Sequence, residues 1–310
     1  MKKKGFASTG KTVGRIGFGG WQLGNQAFWS EMSEQEGIDL VREAISCGVN
    51  FFDTAPGYAS GQSETIIGKA IAGHREEVVI NSKFGHTADG RSDFSIEAIE
   101  PSLQESLSRL QTNYLDSLIL HNPSWEILSG KTKHAEAFET LKSKGLIHAW
   151  GVSIDSKEEL RTVLDHLPVD VIEIMFNLFF QGPRAYFDEI QSRGIALVVK
   201  VPLDSGWLSG KYNTNSVFTG IRSRWDQKTK ATRSKLVGRV LDITHSENLV
   251  STALAFILSY DAVTTVIPGT RTSSQLHANI QAETEKLSPD MIHALEQFFD
   301  QEVEKEKLPW

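Results

Sequence analysis

The chain has one cysteine, Cys47, so no disulfide can form within it, and this scarcity fits a reducing compartment. No stretch approaches the roughly eighteen consecutive apolar residues of a membrane-spanning helix. The start, Met1-Lys2-Lys3-Lys4, is basic like a signal peptide, but Gly5 to Lys11 supplies no apolar segment after it. The expectation is a cytoplasmic protein with no membrane partner. No His-x-His pair or other tight group of metal ligands occurs, so no metal is expected. Positive charge is not in excess either. A net charge of −7 argues against a general nucleic-acid binder, while leaving room for a local cationic site that holds an anion. Low-complexity linkers and abrupt shifts in composition are also missing, which points to one domain over residues 1–310. With 40% hydrophobic residues, such a chain can bury a large core. Nothing decides between a monomer and a homo-oligomer.

What is present is alternation. Short β-prone runs predict eight strands: Arg15–Phe18, Asn50–Asp53, Val78–Lys83, Ser117–His121, Ala149–Ser153, Val171–Phe176, Ala196–Val201 and Thr264–Ile267. Helical patterns lie between them, at Ser33–Ser46, Glu64–Ala72, Ser95–Leu110, Ala135–Lys144, Lys157–Leu167 and Arg184–Ser192, with one long stretch from Thr232 to Ser259. Ser33-Glu34-Gln35-Glu36 reads as a capping box. Gly48, Gly145 and Gly194 each end a helix and lead straight into an apolar run, as left-handed C-caps do. Repeated strand–helix–strand winding implies a doubly wound sheet or a closed (β/α)₈ barrel. Extra helices are expected at Ser273–Ile280 and Pro289–Val303, and a hairpin from Gly5 to Gly14 covering one end. The irregular stretch from Pro202 to about Lys230 follows the seventh strand, where barrels often bind phosphate.

In a barrel the carboxyl ends of the strands share one mouth. Asp53, Lys83 and His121 end three successive strands there, and Tyr58 follows Asp53 in the same loop. A phenol beside an ammonium ion is a candidate acid, because the cation lowers its pKa from an ordinary value of about 10. The carboxylate would fix the lysine, and the histidine would share a substrate oxygen with the tyrosine, so that a carbonyl is polarised and protonated. A Rossmann fingerprint is excluded: Gly17 and Gly19 have no third glycine, since position 22 is Gln. His74, His86 and His134 lie in polar segments and are expected at the surface. Trp29, Trp125, Trp207 and Trp225 lie in loops, where they either line the mouth or pack its rim; of the tryptophans, only Trp21 is expected in the pocket.

With these residues the chain resembles the aldo-keto reductases. Gly17-Phe18-Gly19-Gly20-Trp21, Gly151-Val152-Ser153, the Pro202–Lys211 segment and Ile267-Pro268-Gly269-Thr270-Arg271 match family stretches in the family's order. The resemblance implies a (β/α)₈ barrel that transfers hydride from NADPH to a small carbonyl compound, with Tyr58 as general acid, tuned by Lys83 and Asp53, and His121 orienting the substrate. Trp21 would wall the substrate pocket, with Gly19, Gly20 and Asp53 also near the cofactor. Ser153 would hold the carboxamide. Val201, Pro202, Leu203, Ser205, Gly206, Leu208, Gly210 and Lys211 would follow the pyrophosphate. Pro268, Gly269 and Thr270 would lead to Arg271 on the 2′-phosphate, with Gln275 and Asn279 near adenine. Glu173 stands where the family commonly has Gln, Lys200 where it has an aromatic, and Ile154 where an Asn often follows. Glu173 and Lys200, on neighbouring strands, are expected to form an ion pair beneath the nicotinamide. The alternative of another class is a nucleotide-sensing or binding subunit with little turnover.

Overall fold

The computed structural model describes residues 2–26 and 31–309, with the backbone alone at Ile221; Trp29 lies outside the described residues. A hairpin of β1 (Lys3–Gly5) and β2 (Thr12–Gly14) comes first. Then follow β3 (Phe18–Gly19), α1 (Glu34–Ser46), β4 (Phe51–Asp53), α2 (Gln62–Ala70), β5 (Val79–Phe84), α3 (Ile96–Leu110) and β6 (Leu115–His121). After a short α4 (Trp125–Leu128) come α5 (His134–Ser143), β7 (Ile147–Ile154), α6 (Lys157–His166), β8 (Val171–Met175), α7 (Phe187–Ser192) and β9 (Ala196–Lys200). The chain ends with α8 (Gln227–Thr244), α9 (Leu249–Leu258), β10 (Val263–Val266), α10 (Ser273–Gln281) and α11 (Pro289–Phe298).

Strands β3 to β10 pair in parallel and in sequence order. The sheet closes on itself through parallel bridges from Ile16 to Val266 and from Gly19 to Gly269, with the Gly17 N–H donating to the Val266 carbonyl at 2.8 Å. All eight expected strands are present, and the fold is a (β/α)₈ barrel. Gly48, Gly145 and Gly194 have φ of 88°, 70° and 69°, the left-handed conformation expected at those turns. The Ser33 capping box forms, and a second one, Ser156 with Glu159, opens α6. Each such cap stabilises its helix by about 1 kcal/mol.

The hairpin plugs the barrel's amino-terminal end. Phe6 and Val13 are fully buried against Phe51, Val79, Ile119 and Val171 of the barrel interior. Asp116, wholly buried under the same end, is paired with Lys11 at 2.8 Å and Arg75 at 2.9 Å. With that end sealed, the opposite end is the mouth.

Several boundaries differ from expectation. The stretch from Thr232 to Ser259 is two helices, because His245 takes a left-handed φ of 48° between α8 and α9. A 3₁₀ turn at Gly182–Tyr186, with Pro183 in its first turn, precedes α7. A wider π turn at Phe299–Val303 finishes α11. The irregular stretch after β9 holds 3₁₀ turns at Asp204–Ser209 and Gly220–Arg224, and α8 already begins at Gln227. No helix among the described residues is long and apolar enough to cross a membrane.

Candidate active site

Alternation along each strand decides what faces the barrel axis. On β5, Asn81 and Lys83 share the inward face with Val79; on β7, Gly151 and Ser153 do so; on β8, Val171 and Glu173. Strand register then sets Asp53, Asn81 and Ser117 abreast, and likewise Ser153 and Glu173.

The result is a buried polar cluster. Lys83 Nζ donates to Asp53 Oδ1 at 2.5 Å and to the Thr54 carbonyl at 3.1 Å, and it lies 3.6 Å from Glu173 Oε2. Asn81 Nδ2 donates to Asp53 at 2.8 Å and reaches Glu173 at 3.4 Å, while its Oδ1 accepts from Ser117. The side chains of Lys83, Asp53 and Glu173 keep 1%, 4% and 2% of their exposure, so their electrostatics are not screened by solvent. Burial pushes the Asp53 carboxyl up to about 8, with the neighbouring Glu173 charge acting the same way and Lys83 opposing. For Glu173 burial acts upward too, but Lys83, Lys200 and its hydrogen bonds outweigh it and hold the group below its ordinary value.

Tyr58 and His121 sit above this cluster. Lys83 Nζ stands 5.1 Å from the Tyr58 ring centroid, and the Tyr58 and His121 rings meet edge-on at 6.0 Å. The four residues Asp53, Tyr58, Lys83 and His121 are therefore brought together. One expectation is reversed: the Tyr58 phenol is pushed up, not down. Burial dominates, and Asp53 and Glu173 add to it against the opposing Lys83. The phenol is thus fully protonated at neutral pH. His121 is held well below its ordinary pKa by burial and by Lys83, Lys200 and His86, so its imidazole is neutral. Its Nδ1 is buried without a hydrogen-bond partner.

Glu173 and Lys200 do not form the expected direct ion pair. Lys200 sits two residues nearer the mouth, opposite Met175, and pairs with Asp155 at 2.9 Å. The two groups meet through Ser153, whose Oγ accepts from Lys200 Nζ at 2.9 Å and donates to Glu173 Oε1 at 2.9 Å. Asn122 joins the outer end through Asp155 at 3.1 Å.

Backbone strain gathers at this mouth. Ala59 and Ser60 after Tyr58, Asn122 after His121, and Val201, Asp204 and Ser205 after β9 all have left-handed φ, which for Val201 is uncommon in a β-branched residue. Asp204 is held by the buried Arg233 at 2.7 Å, and Arg233 also donates to the Pro309 carbonyl. Arg222 donates to the Ser205 carbonyl at 2.9 Å, and Gly206, at φ 98°, lies beside the same guanidinium. Leu208 and Trp207 are buried in the core, so Leu208 can offer a ligand only its backbone; Gly210 and Lys211 are exposed, Pro202 is buried and Leu203 is half-buried.

Across the seam, Gly19 packs against the Ile267 carbonyl, and Gly20 against the Asp53 carbonyl, with no room for a Cβ. Trp21 follows in a half-buried turn at the rim. Pro268, Gly269 and Thr270 lead to Arg271, whose Nη2 donates to the Glu31 carbonyl at 2.7 Å and whose N–H donates to Gln275. Asn279, buried, donates to Thr270. Gln275 and Asn279 therefore clasp the loop that carries Arg271.

Two histidines depart from expectation. His86 stacks edge-on against His121 at 4.9 Å and so belongs to the mouth. His134 is buried, bridging Thr132 and the Phe94 carbonyl. Trp207 and Trp225 pack the rim against each other, and Trp125 is exposed. Sequence reasoning missed Asn81, Asp155 and Arg222. Asn81 had a signal, two residues before Lys83 on one strand face; Arg222 had none beyond its place in the stretch after β9. Among the described residues no group of three or more His, Cys, Asp and Glu is placed to hold a metal.

The sequence matches the aldo/keto reductase family over residues 15–300. It is 28% identical over 318 residues to the NADH-specific methylglyoxal reductase of Escherichia coli (strain K12), covering 93% of this chain and 95% of that protein. A probable voltage-gated potassium channel subunit beta of Arabidopsis thaliana is 27% identical over 321 residues, 96% of each. Among solved structures, an aldo-keto reductase of Bacillus halodurans in its holo form is similar with a TM-score of 0.81 at 26% identity, covering 96% of each chain. The match begins before the first barrel strand and runs past the last helix, and the chain belongs to the aldo/keto reductase family.

Proposed function

We propose that the protein reduces an aldehyde or ketone to the alcohol with NADPH, and that Tyr58 is the general acid. The observation that carries this reading is the protonated phenol of Tyr58 beside a neutral His121, directly over the buried Lys83–Asp53 pair. A substrate oxygen between the two rings would accept a hydrogen bond from each. When bound, a reduced nicotinamide supplies the hydride. Tyr58 supplies the proton, and Lys83 stabilises the phenolate left behind.

The residues present fit such a cofactor. A carboxamide offers one acceptor and two N–H donors. Glu173 can only accept and Lys200 can only donate, so with Ser153 between them they would meet both ends. Arg222 beside Gly206 and Arg271 on the far rim would pair with phosphates. The preference for NADPH rests on Arg271, and a relative named NADH-specific makes it a property to measure. In the same reading residues 1–310 act as one cytoplasmic domain.

A second reading, a nucleotide-sensing subunit with little turnover, is favoured by the two charged residues Glu173 and Lys200 in the cradle and by a relative named as a potassium channel subunit. The experiment that separates them is oxidation of NADPH and of NADH against a panel of aldehydes and ketones. Turnover with NADPH is expected; cofactor binding without turnover on any carbonyl would favour the sensor.

A further inference from the structure

Lys83 carries one positive charge, and two buried carboxylates compete for it. Asp53 touches it at 2.5 Å and Glu173 lies 3.6 Å away, with the Asn81 amide reaching both. The other groups facing the two carboxyls are Ser117 behind Asn81 and Ser153 on Glu173. Lys200 is the next nearest cation, but it reaches Glu173 only through Ser153 and is itself paired with Asp155. Above lie Tyr58, His121 and His86: the phenol and the His121 imidazole are neutral, and the His86 ring meets Ser92 and the His121 ring rather than either carboxyl. Two desolvated like charges sharing one counter-ion do not both stay ionised.

We propose that Asp53 and Glu173 form a carboxyl pair that holds a single shared proton at neutral pH and delivers it through Lys83 to Tyr58. The delivery step rests on the function proposed above; the existence of the pair does not. The proton belongs to the pair rather than to either residue, since Lys83 lies nearer Asp53 while Ser153 and Lys200 lie on the Glu173 side. Tyr58 breaks its O–H bond when the substrate oxygen takes the proton. A Lys83 N–H then passes its proton to the phenolate, and the carboxyl O–H of the pair restores the ammonium. The pair is left with two carboxylates and regains one proton from solvent, entering past Asp155, whose side chain is 39% exposed, along Lys200 and Ser153. One proton enters for each one given to product. The Asp53 carboxyl, pushed up to about 8 by burial, is consistent with a proton retained at neutral pH.

The test is infrared spectroscopy of the cofactor-free protein with ¹³C-labelled Asp and Glu carboxyls. Wild-type protein at neutral pH should show the C=O stretch of a buried protonated carboxyl, and it should disappear on titration through about pH 8. Glu173→Gln and Asp53→Asn should each abolish it. Absence of the band from wild-type protein overturns the pair, and so does its survival in either folded variant. In turnover, wild-type carbonyl reduction should fall about tenfold per pH unit above that titration, the slope of one lost proton. Glu173→Gln should show no such limb there. An unchanged limb in Glu173→Gln overturns the delivery step. If wild-type protein reduces no carbonyl, the proposed function fails, and the spectrum still decides the pair.

Discussion

At the residue scale, the proposed chemistry depends on Tyr58 being an acid rather than a phenolate. Burial and two carboxylates raise its pKa, so it keeps its proton throughout the neutral range and gives it up only to a strongly basic alkoxide. Tyr58→Phe removes that proton and little else, because the ring still packs edge-on against His121. Turnover should fall by about 10²–10⁴-fold, the usual contribution of general acid catalysis, with cofactor affinity unchanged. Steady-state kinetics beside a cofactor titration checks this, and wild-type turnover in the variant would exclude Tyr58 as the acid. Arg271 poses the corresponding question for the cofactor. A lost charge-assisted hydrogen bond to phosphate costs about 1.5–3 kcal/mol, or roughly ten- to a hundredfold in affinity. Arg271→Ala should weaken NADPH binding by that factor and NADH binding far less; equal losses measured by fluorescence titration would assign the guanidinium to holding the Glu31 carbonyl instead. Both residues stood out as candidates for these proposed roles in the sequence. The direction of the Tyr58 shift was not legible there, because it depends on how much solvent the fold removes and on Glu173, ninety residues past Lys83.

At the element scale, alternation and capping explain most of what forms. Apolar positions two apart place each strand's inner face, and the serine caps and left-handed glycines mark where helices start and stop. The α8–α9 break was missed although Asn248 caps α9, because the apolar pattern runs on through both helices; His245 ends α8 in the left-handed region. A tighter constraint lies between β7 and β8. A Cβ on Gly151 would come within 1.8 Å of the Val171 carbonyl oxygen, and Ser153 and Glu173 sit on the same two strands, two residues further on. Gly151→Ala must push these strands apart. The expected cost is at least the roughly 1–3 kcal/mol of an overpacked core, because backbone rather than a side chain must move. Chemical denaturation measures the loss, and an unchanged midpoint would show that the barrel yields there more readily than its packing implies. Cofactor affinity should fall with stability, since the same strands carry the Ser153–Glu173 hydrogen bond.

At the scale of the whole molecule, distant segments are tied to the mouth. Arg233 of α8 joins Asp204 in the strained segment after β9 to the Pro309 carbonyl near the end of the chain, with the ion pair almost wholly buried. Arg233→Met keeps the length but leaves the Asp204 carboxylate buried without its counter-ion. Breaking a buried pair from one side costs about 3–5 kcal/mol. A denaturant midpoint lowered to match is expected, together with weaker cofactor binding; a midpoint like that of the wild type would show that Asp204 finds water or another donor when the arginine is gone. The sequence by itself determined the eight strands, the winding that orders them, and the gathering of Asp53, Lys83 and His121 at successive strand ends. Each of those follows from local periodicity and chain order. Only the tertiary structure decided that Lys200 pairs with Asp155 rather than Glu173, that His86 joins the mouth, and that Lys83 is shared by two carboxylates. Those outcomes depend on strand register and on which charged groups compete within a few ångströms, and neither is encoded in the spacing of residues along the chain.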